Sequence, residues 1–326
     1  MNAITVYNLS KTYKVQEVSS FFRRKTKEIN AINNISFDIE SGELVGFVGM
    51  NGAGKTTTLK CLSGLLTRDG GDISVLGHDP QKRGNEFLKK ISLVMGNKSQ
   101  LWLELPPMDS FLLNKEIYEI PDSRFKKTLN NLVDCLDIRD CLNIPTRKLS
   151  LGNRMKCELV LSLLHNPEIL FLDEPTIGLD VISQEKLRSF LKDYNKEHKS
   201  TILFTSHNMA EVNDLCSRVI LINNGNIIYN GSVDHLKSLY GKDKKIRFTL
   251  KEKYLKKDVH SIVNEFGKLQ RFTGKSGVIV LKKDNTNKLL SVILRKLPID
   301  NIDIEQPSLE DVVRNIFSND ESISLL

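Results

Sequence analysis

The sequence predicts an α/β protein with two domains, the larger built on a mainly parallel sheet and the smaller of the α+β class. From residue 44 onward, apolar strand-like runs alternate with helical patterns, which favours a parallel sheet with helices on both faces. This pattern stops near residue 240 at a lysine-rich link. Since 326 residues fit two ordinary domains, we expect one domain at 4–240 and an accessory domain at 241–326.

The first domain is expected to open with antiparallel strands. Residues 4–7 and 35–39 alternate apolar and polar side chains with period two, as half-buried strands do. Residues 223–226, Asn-Asn-Gly-Asn, favour a tight hairpin between two later strands. The best candidates for the parallel sheet are strands at 44–48, 169–172, 201–205 and 219–222, with intervening helices at 124–136, 154–164, 183–199 and 209–215.

The accessory domain is predicted as a βαβαβα unit, which suggests a small α+β or ferredoxin-like fold. Its strands are expected at 246–250, 277–281 and 302–305, and its helices at 259–266, 287–297 and 308–317. No nucleotide or metal motif falls within these residues.

The composition is that of a globular protein. Hydrophobic residues make up 40% of the chain and charged residues 27%, and no apolar run approaches the ~20 residues that cross a bilayer. The first residues lack the features of a secretory signal, so we expect a cytosolic chain unless a partner holds it at a membrane. The net charge of +7 is mild and forms no strong stripe, so it favours a solvated lysine-rich surface over binding to an anionic membrane surface or to nucleic acid. Five scattered cysteines predict neither disulfides nor zinc.

A glycine-rich loop, Gly-Met-Asn-Gly-Ala-Gly-Lys-Thr at 49–56, lies between an apolar strand-like run and a helix-like run. This strand–loop–helix setting predicts a phosphate-binding P-loop. Its glycines let successive backbone N–H groups turn toward one anion, and the helix N-terminus adds partial positive charge. We expect Lys55 to reach the phosphates of a nucleoside triphosphate and the Thr56 hydroxyl to ligate Mg²⁺. The nucleotide-binding residues predicted here are Gly49, Met50, Asn51, Gly52, Ala53, Gly54, Lys55, Thr56 and Thr57.

Two carboxylates, Asp173 and Glu174, follow the apolar run 169–172 directly. At the carboxyl end of a strand in a P-loop protein, Asp173 is expected to hold Mg²⁺. Glu174 is expected to act as general base on the attacking water. An apolar run that ends in Asp-Glu is common by itself, so this prediction depends on the P-loop upstream.

Two further motifs flank this strand. Residues 148–154 read Lys-Leu-Ser-Leu-Gly-Asn-Arg, and residues 173–180 read Asp-Glu-Pro-Thr-Ile-Gly-Leu-Asp. Together with the P-loop, and in this order, they resemble the ATP-binding subunit of an ABC transporter over residues 4–240. The resemblance implies a P-loop NTPase cassette with a RecA-like core, an antiparallel β-subdomain and a helical subdomain.

The resemblance also implies a site shared between two subunits. Residues 149–153 match the signature loop, which faces the γ-phosphate of ATP held by a second cassette. Ser150, Gly152 and Asn153 would bind that ATP, so we expect a head-to-tail homo- or heterodimer. Asp180 matches the D-loop that couples the two sites.

Two more candidate site residues match the family pattern at single positions. His207 matches the switch histidine that contacts the γ-phosphate, although a histidine at a strand end taken alone is more often structural. Tyr13 matches the aromatic residue that stacks on adenine, with a packed surface tyrosine as the alternative.

The chain departs from the family pattern in two motifs. Leu151 and Asn153 stand where the signature has glycine and glutamine, and Asn97 stands where the Q-loop has glutamine. Asparagine is shorter by one carbon–carbon bond, about 1.5 Å, so substitution by Asn97 requires backbone movement or a bridging water. Gln100 is close enough in sequence to replace it. We expect slow or strongly partner-dependent turnover, with Asn97 still among the ATP-binding residues.

Two segments are candidate contact surfaces. Residues 100–107 place Trp102 among apolar side chains. They form either a packed loop or a groove for a coupling helix of a membrane partner, and the resemblance favours the groove. Residues 21–24, Phe-Phe-Arg-Arg, contact lipid headgroups or a permease, or form a solvated loop.

The resemblance implies an ATP-hydrolysing, energy-coupling subunit that drives export through a separate permease at the cytoplasmic face of the cell membrane. The Leu-Ser-Leu-Gly signature and the appended domain are similar to subunits paired with ABC-2-type permeases in drug efflux. Two alternatives stay open at this point: a soluble ABC ATPase acting on ribosomes or nucleic acid, and a regulatory subunit that binds ATP without hydrolysing it. The single P-loop argues against the first, because such translation factors generally carry two cassettes in one chain.

Overall fold

The computed structural model describes residues 1–20, 23–96, 98–240, 243–282, 285–305 and 309–318. Asn97 and the two phenylalanines of the candidate contact segment, Phe21 and Phe22, lie outside these ranges. The chain divides into two compact units, Met1–Gly231 and Ser232–Leu326. This boundary precedes the one expected after residue 240. No helix in the described ranges is long and apolar enough to span a membrane.

The first unit alternates strands and helices for most of its length. Its strands are β1 (Asn2–Ser20), β2 (Arg23–Glu40), β3 (Leu44–Val48), β4 (Gly70–Val75), β5 (Ile91–Met95), β6 (Ile169–Asp173), β7 (Thr201–Ser206), β8 (Arg218–Asn223) and β9 (Asn226–Ser232). Its helices are α1 (Lys55–Leu62), α2 (Asn85–Leu88), α3 (Pro107–Ile117), α4 (Asp122–Leu136), α5 (Leu151–Leu163), α6 (Val181–His198) and α7 (Met209–Leu215). Short 3₁₀ helices lie at Pro80–Lys82, Arg139–Cys141 and Thr146–Lys148.

A six-stranded sheet in the order β5-β6-β7-β3-β8-β9 is the centre of the first unit. Strand β3 runs parallel to β7 and β8, and β6 runs parallel to β5 and β7. All residues of β3, β6 and β7 are buried, as in a parallel sheet covered on both faces. The predicted parallel sheet is confirmed. Because the carboxyl ends of these three strands meet at one edge, the residues that follow them lie close together.

A second, three-stranded antiparallel sheet has the order β2-β1-β4. Strands β1 and β2 form one long hairpin, in which Ile4 pairs with Ile39 near its base. The sequence predicted strands only at 4–7 and 35–39, whereas the two strands remain paired through residues 15–20 and 23–30. Alternation is absent there because the flanking residues 13–16 and 27–30 are exposed, so no apolar face marks the strands.

Helices α3, α4 and α5 lie between β5 and β6 in the chain and form the predicted helical subdomain. Helix α5 packs against α3, α4 and β5. The apolar face of α4 recurs at helical spacing, with Phe125, Leu129, Leu132, Val133 and Leu136 buried. Helix α5 begins at the signature residues and leads into β6, so the helical subdomain connects the signature loop to the Asp-Glu strand.

The second unit is a four-stranded antiparallel sheet with the order β11-β12-β10-β13. Its elements are α8 (Val233–Tyr240), β10 (Asp243–Leu250), α9 (Lys256–Val263), β11 (Gly267–Phe272), β12 (Ser276–Lys282), α10 (Thr286–Lys296), β13 (Ile299–Glu305) and α11 (Leu309–Ser318). The βαββαβ order is ferredoxin-like. The predicted βαβαβα order was wrong because it lacked β11, in which only Leu269 is buried and alternation is weak.

Candidate nucleotide site

The glycine-rich loop connects β3 to α1 at the carboxyl edge of the parallel sheet. Gly54 lies directly before α1 with φ of 111°, a left-handed conformation that favours glycine. A Cβ atom at Gly49 would lie 2.3 Å from the carbonyl oxygen of Ile222, so only glycine fits there as well. The loop therefore has the backbone freedom that the P-loop motif predicts.

Lys55 is folded back into this loop. Its side chain is 5% exposed, and Nζ donates to the carbonyl oxygens of Gly49 at 2.8 Å and Met50 at 3.1 Å. Nζ also lies 3.4 Å from Oε1 of Glu174. The ammonium is therefore held at the mouth of the loop, close to the place where the motif expects a phosphate.

The other residues of the P-loop precede and follow Lys55 in the chain. Met50 is exposed and Ala53 is buried. The Thr57 hydroxyl lies 3.4 Å from the hydroxyl of Tyr13, which reaches the start of α1 from β1. Tyr13 is 37% exposed, so part of its ring faces solvent beside the loop. The structure thus brings Tyr13 to the P-loop, where its ring is available to a base.

Asp173 ends β6 and is buried with both carboxylate oxygens in use. Oδ2 accepts a hydrogen bond from the Thr56 hydroxyl at 2.7 Å, and Oδ1 accepts one from the Thr205 hydroxyl at 2.8 Å. Thr205 is the register partner of Asp173 on β7. The predicted pair of metal-ligating oxygens, from Thr56 and Asp173, is therefore adjacent, and Thr205 is a supporting residue that sequence reasoning missed.

Glu174 adopts a left-handed backbone conformation, with φ of 51°. Its N–H donates to the carbonyl oxygen of Thr205 at 3.2 Å and to the hydroxyl of that residue at 3.0 Å, which holds the conformation in place. Its carboxylate lies between Lys55 and His207, whose Nδ1 is 3.3 Å from Oε2. Non-glycine residues in this region are uncommon and concentrate at functional sites.

The segment before Asn97 packs directly on this motif. The N–H of Gly96 donates to the carbonyl oxygen of Asp173 at 2.9 Å. A Cβ atom at Gly96 would lie 2.3 Å from the carbonyl oxygen of Glu174, so this approach requires glycine. The side-chain amide of Gln100 donates to the carbonyl oxygen of Leu93 at 2.7 Å, which places it beside β5.

The signature residues cap helix α5. Ser150 is the N-cap, and its hydroxyl accepts a hydrogen bond from the N–H of Asn153 at 3.2 Å. A Cβ atom at Gly178 would lie 2.5 Å from the side chain of Leu151, and one at Gly152 would lie 3.3 Å from the hydroxyl of Ser183. The signature loop therefore contacts the segment 178–183 of the same chain, a contact that the sequence did not predict.

Asp180 caps the next helix in the same way. Its carboxylate accepts hydrogen bonds from the N–H of Ser183 at 2.9 Å and from the hydroxyl of that residue at 2.7 Å. These bonds lower the pKa of Asp180 below its ordinary value. The D-loop residue thus fixes the start of α6 beside the signature loop.

A buried carboxylate behind the site was not predicted. Glu211 is 1% exposed, and its Oε2 accepts hydrogen bonds from the hydroxyls of Thr176 and Ser206, each at 2.9 Å. Thr176 lies two residues after Glu174, and Ser206 directly precedes His207. The only signal in the sequence is its position four residues after His207.

The chain is similar in sequence to known proteins. The sequence profile of the ABC transporter family matches residues 32–177. The chain is 36% identical over 220 residues to the ABC transporter ATP-binding protein NatA of Bacillus subtilis, covering 68% of this chain and 89% of that protein. It is 32% identical over 250 residues to human ATP-binding cassette sub-family A member 6, covering 75% of this chain but only 14% of that protein.

A solved structure shares the fold. The ATP-binding cassette MJ0796, in a dimeric post-hydrolysis state bound to ADP and Pi, superposes with a TM-score of 0.61 at 23% identity. The superposition covers 70% of this chain and 98% of the cassette. At 23% identity this similarity shows the fold alone. The assignment to a family rests on the relatives found by sequence. The chain belongs to the family of ABC transporter ATP-binding proteins, which use ATP binding and hydrolysis to drive transport.

Proposed function

We propose that this protein is the ATPase subunit of an exporter whose membrane-spanning part is a separate permease of the ABC-2 type. One observation carries the catalytic part of the proposal. Lys55, Thr56, Asp173, Glu174 and His207 meet at one edge of the sheet, linked by contacts of 2.7 to 3.4 Å. The subunit would then work at the cytoplasmic face of the membrane, held there by its permease.

The proposed reaction begins with an exchange of partners at Lys55. ATP phosphates would draw the ammonium away from Glu174 and receive hydrogen bonds from the N–H groups of the loop. Glu174 would then be free to accept a proton from the attacking water. His207, 3.3 Å from this carboxylate, would hold it in position and face the γ-phosphate.

A magnesium ion would fit the oxygens of Thr56 and Asp173. Hard divalent cations take hydroxyl and carboxylate oxygens, and these two groups already lie 2.7 Å apart with Asp173 buried. When bound, the ion would neutralise phosphate charge. Thr205 would keep the Asp173 carboxylate oriented, since its hydroxyl bonds the other oxygen.

A second cassette is proposed to complete the site. Ser150 caps α5 at a helix N-terminus, which is a site for anions, and Gly152 and Asn153 follow it. Apolar side chains beside it are exposed: Val181 by 75% and Ile182 by 67%. Such side chains at the start of α6 suit burial in an interface, and the fold neighbour MJ0796 is dimeric. We propose that ATP is bound between two cassettes arranged head to tail.

The permease is proposed to dock beside the helical subdomain. Trp102 is 58% exposed, Leu103 45% and Ile117 62%, and together with Leu105, Leu112 and Leu113 they form an apolar surface. A cavity of about 260 Å³ adjoins this surface, and Trp102, Leu113 and Ile117 line it together with polar side chains such as Ser110 and Asn114. The occupant that fits is an amphipathic coupling helix, whose apolar face fills such a groove.

Reconstitution tests the proposal. Proteoliposomes that contain this subunit together with a candidate ABC-2-type permease should show ATPase activity above that of the free subunit, together with export of substrate. Trp102→Glu should abolish the stimulation and leave ATP binding intact, because a charge is placed on the apolar surface. Leu255→Glu is the matched control, since Leu255 is 61% exposed in the second unit. Stimulation that survives Trp102→Glu would contradict the docking site.

A further inference from the structure

We propose that Glu158 is a positioning residue that joins the signature helix α5 to residues 99–105, so that movement of either one is transmitted to the other. The proposal deepens the proposed function, because residues 102–105 contribute to the surface offered to the permease. Its test requires only the cassette, so it stands or falls independently of the permease.

Glu158 is a buried carboxylate in the middle of α5. It is 3% exposed, and its hydrogen-bond donors among the described residues all come from one short segment of chain. Its oxygens accept hydrogen bonds from the Ser99 hydroxyl, from the N–H of Gln100 at 2.9 and 3.1 Å, and from the N–H of Leu101 at 3.3 Å. A buried carboxyl group needs such partners, so the segment and the helix are hydrogen-bonded to each other at this point.

The same segment is tied a second time to the chain that leads into α5. The N–H of Arg147 donates to the carbonyl oxygen of Leu103 at 2.9 Å. The N–H and the hydroxyl of Thr146 donate to the carbonyl oxygen of Leu105 at 3.0 and 2.9 Å. Residues 99–105 are therefore bonded to the helix on one side and to its lead-in on the other, with the signature loop in between.

This double attachment gives a stiff connection from Ser150 to Trp102. Glu158 lies eight positions after Ser150 (158 minus 150), which corresponds to about 12 Å of helix. A displacement of the N-cap by ATP would therefore be carried to Glu158 and from there to the segment that bears Trp102. Because coupling between two sites is reciprocal, a partner that displaces Trp102 would also displace Ser150.

The chain offers its own reporter of this coupling. Trp102 is the single tryptophan of the sequence, and it follows directly on the residues that Glu158 binds. Its fluorescence thus reports the environment of the segment without a label. A merely structural glutamate would lower stability when replaced and leave the response of Trp102 to ATP unchanged.

The experiment compares three variants of the full chain in a Glu174→Gln background, in which ATP is expected to stay bound. Glu158→Gln preserves shape but replaces one accepting oxygen with a donor. Ser99→Ala removes one hydrogen-bond donor to Glu158 and takes the place of Glu158→Gln in the test if that variant folds poorly. Glu168→Gln is the control, since Glu168 lies after the same helix, is exposed, and pairs with Lys90. Trp102 emission is recorded with and without ATP, and nucleotide affinity and dimerisation are measured alongside.

We expect ATP to change Trp102 emission in the parent and in Glu168→Gln, and the change to be lost in Glu158→Gln and reduced in Ser99→Ala. The dissociation constant for ATP should stay within about twofold, because the P-loop does not contact Glu158. Loss of the ATP-dependent dimer with ATP binding intact would also support the proposal, since the start of α5 would be misplaced. An unchanged Trp102 response in Glu158→Gln, or no response in the parent, would overturn it.

Discussion

The ammonium of Lys55 lies 3.4 Å from the carboxylate of Glu174, so the two residues expected to act on ATP are paired with each other. Lys55 also donates to two loop carbonyls. Under the proposed function, ATP would replace several contacts of this ammonium and would release the proposed general base. The exchange would couple binding of the phosphates to activation of Glu174.

Tyr13 provides a test of base stacking. Tyr13→Ala should weaken ATP binding by about 1–3 kcal/mol, the usual contribution of an aromatic ring under a base, which raises the dissociation constant about fivefold to about 150-fold. Tyr13→Phe keeps the ring and loses only the 3.4 Å contact with Thr57, so it should bind nearly as the parent does. Equal affinity of the alanine and phenylalanine variants, measured by calorimetry, would exclude stacking.

Glu211 is expected to position both the end of strand β7, which precedes His207, and the loop after Glu174. Glu211→Gln should lower kcat and leave KM for ATP nearly unchanged, because Thr176 and Ser206 lose a charged acceptor while the P-loop is intact. Loss of one such bond corresponds to about tenfold in rate or more. Glu252→Gln, an exposed glutamate of the second unit, is the control. A change confined to KM would refute this role.

Asn97 is expected to limit turnover. Asn97→Gln restores the length that the Q-loop motif normally has, and since misplacement by about 1 Å can cost a hundredfold, turnover should rise. Asn131→Gln, on the exposed side of α4, controls for the added methylene. The parent should hydrolyse ATP slowly without a partner. A partner-free rate of about ten per second or more, near the median for enzymes, would contradict this expectation.

Buried His165 predicts how stability depends on pH. Burial lowers its pKa from 6.5 to about 4, while Nε2 lies 3.1 Å from the carbonyl oxygen of Ile91 and the ring stacks on Tyr118. Between these pKa values the unfolded chain binds more protons than the folded one, so stability falls as pH falls from 6.5 toward 4.

At pH 5 this histidine should lower the free energy of unfolding by about 2 kcal/mol relative to pH 7.5. In His165→Gln that part of the pH dependence should vanish, whereas in His260→Gln, at an exposed position, it should persist. Thermal or urea unfolding at the two pH values gives the comparison. Equal slopes for the parent and His165→Gln would show that His165 titrates normally.

The local motifs were predictable because their chemistry lies within a few consecutive residues. Each of these motifs is recognised from the end of one strand and the residues next to it: the P-loop, the Asp173-Glu174 pair and His207. The parallel sheet then brings them together. Thr205 and Glu211 could not be found in this way, because their partners are set by strand register and by packing of α7. Strand β11 was not predicted for a related reason. With a single buried side chain it shows no clear alternation of apolar and polar residues.

The most direct test of the account is ATP turnover and dimerisation of Glu174→Gln. Removal of the general base should lower hydrolysis by about 10²–10⁴-fold while ATP stays bound, and the variant should accumulate as an ATP-containing dimer by size-exclusion chromatography. Asp193→Asn, on α6 outside the site, should hydrolyse ATP as the parent does. An unchanged rate in Glu174→Gln would contradict the catalytic role of this carboxylate. A parent without activity and a variant without a dimer would instead identify a regulatory, non-hydrolysing subunit.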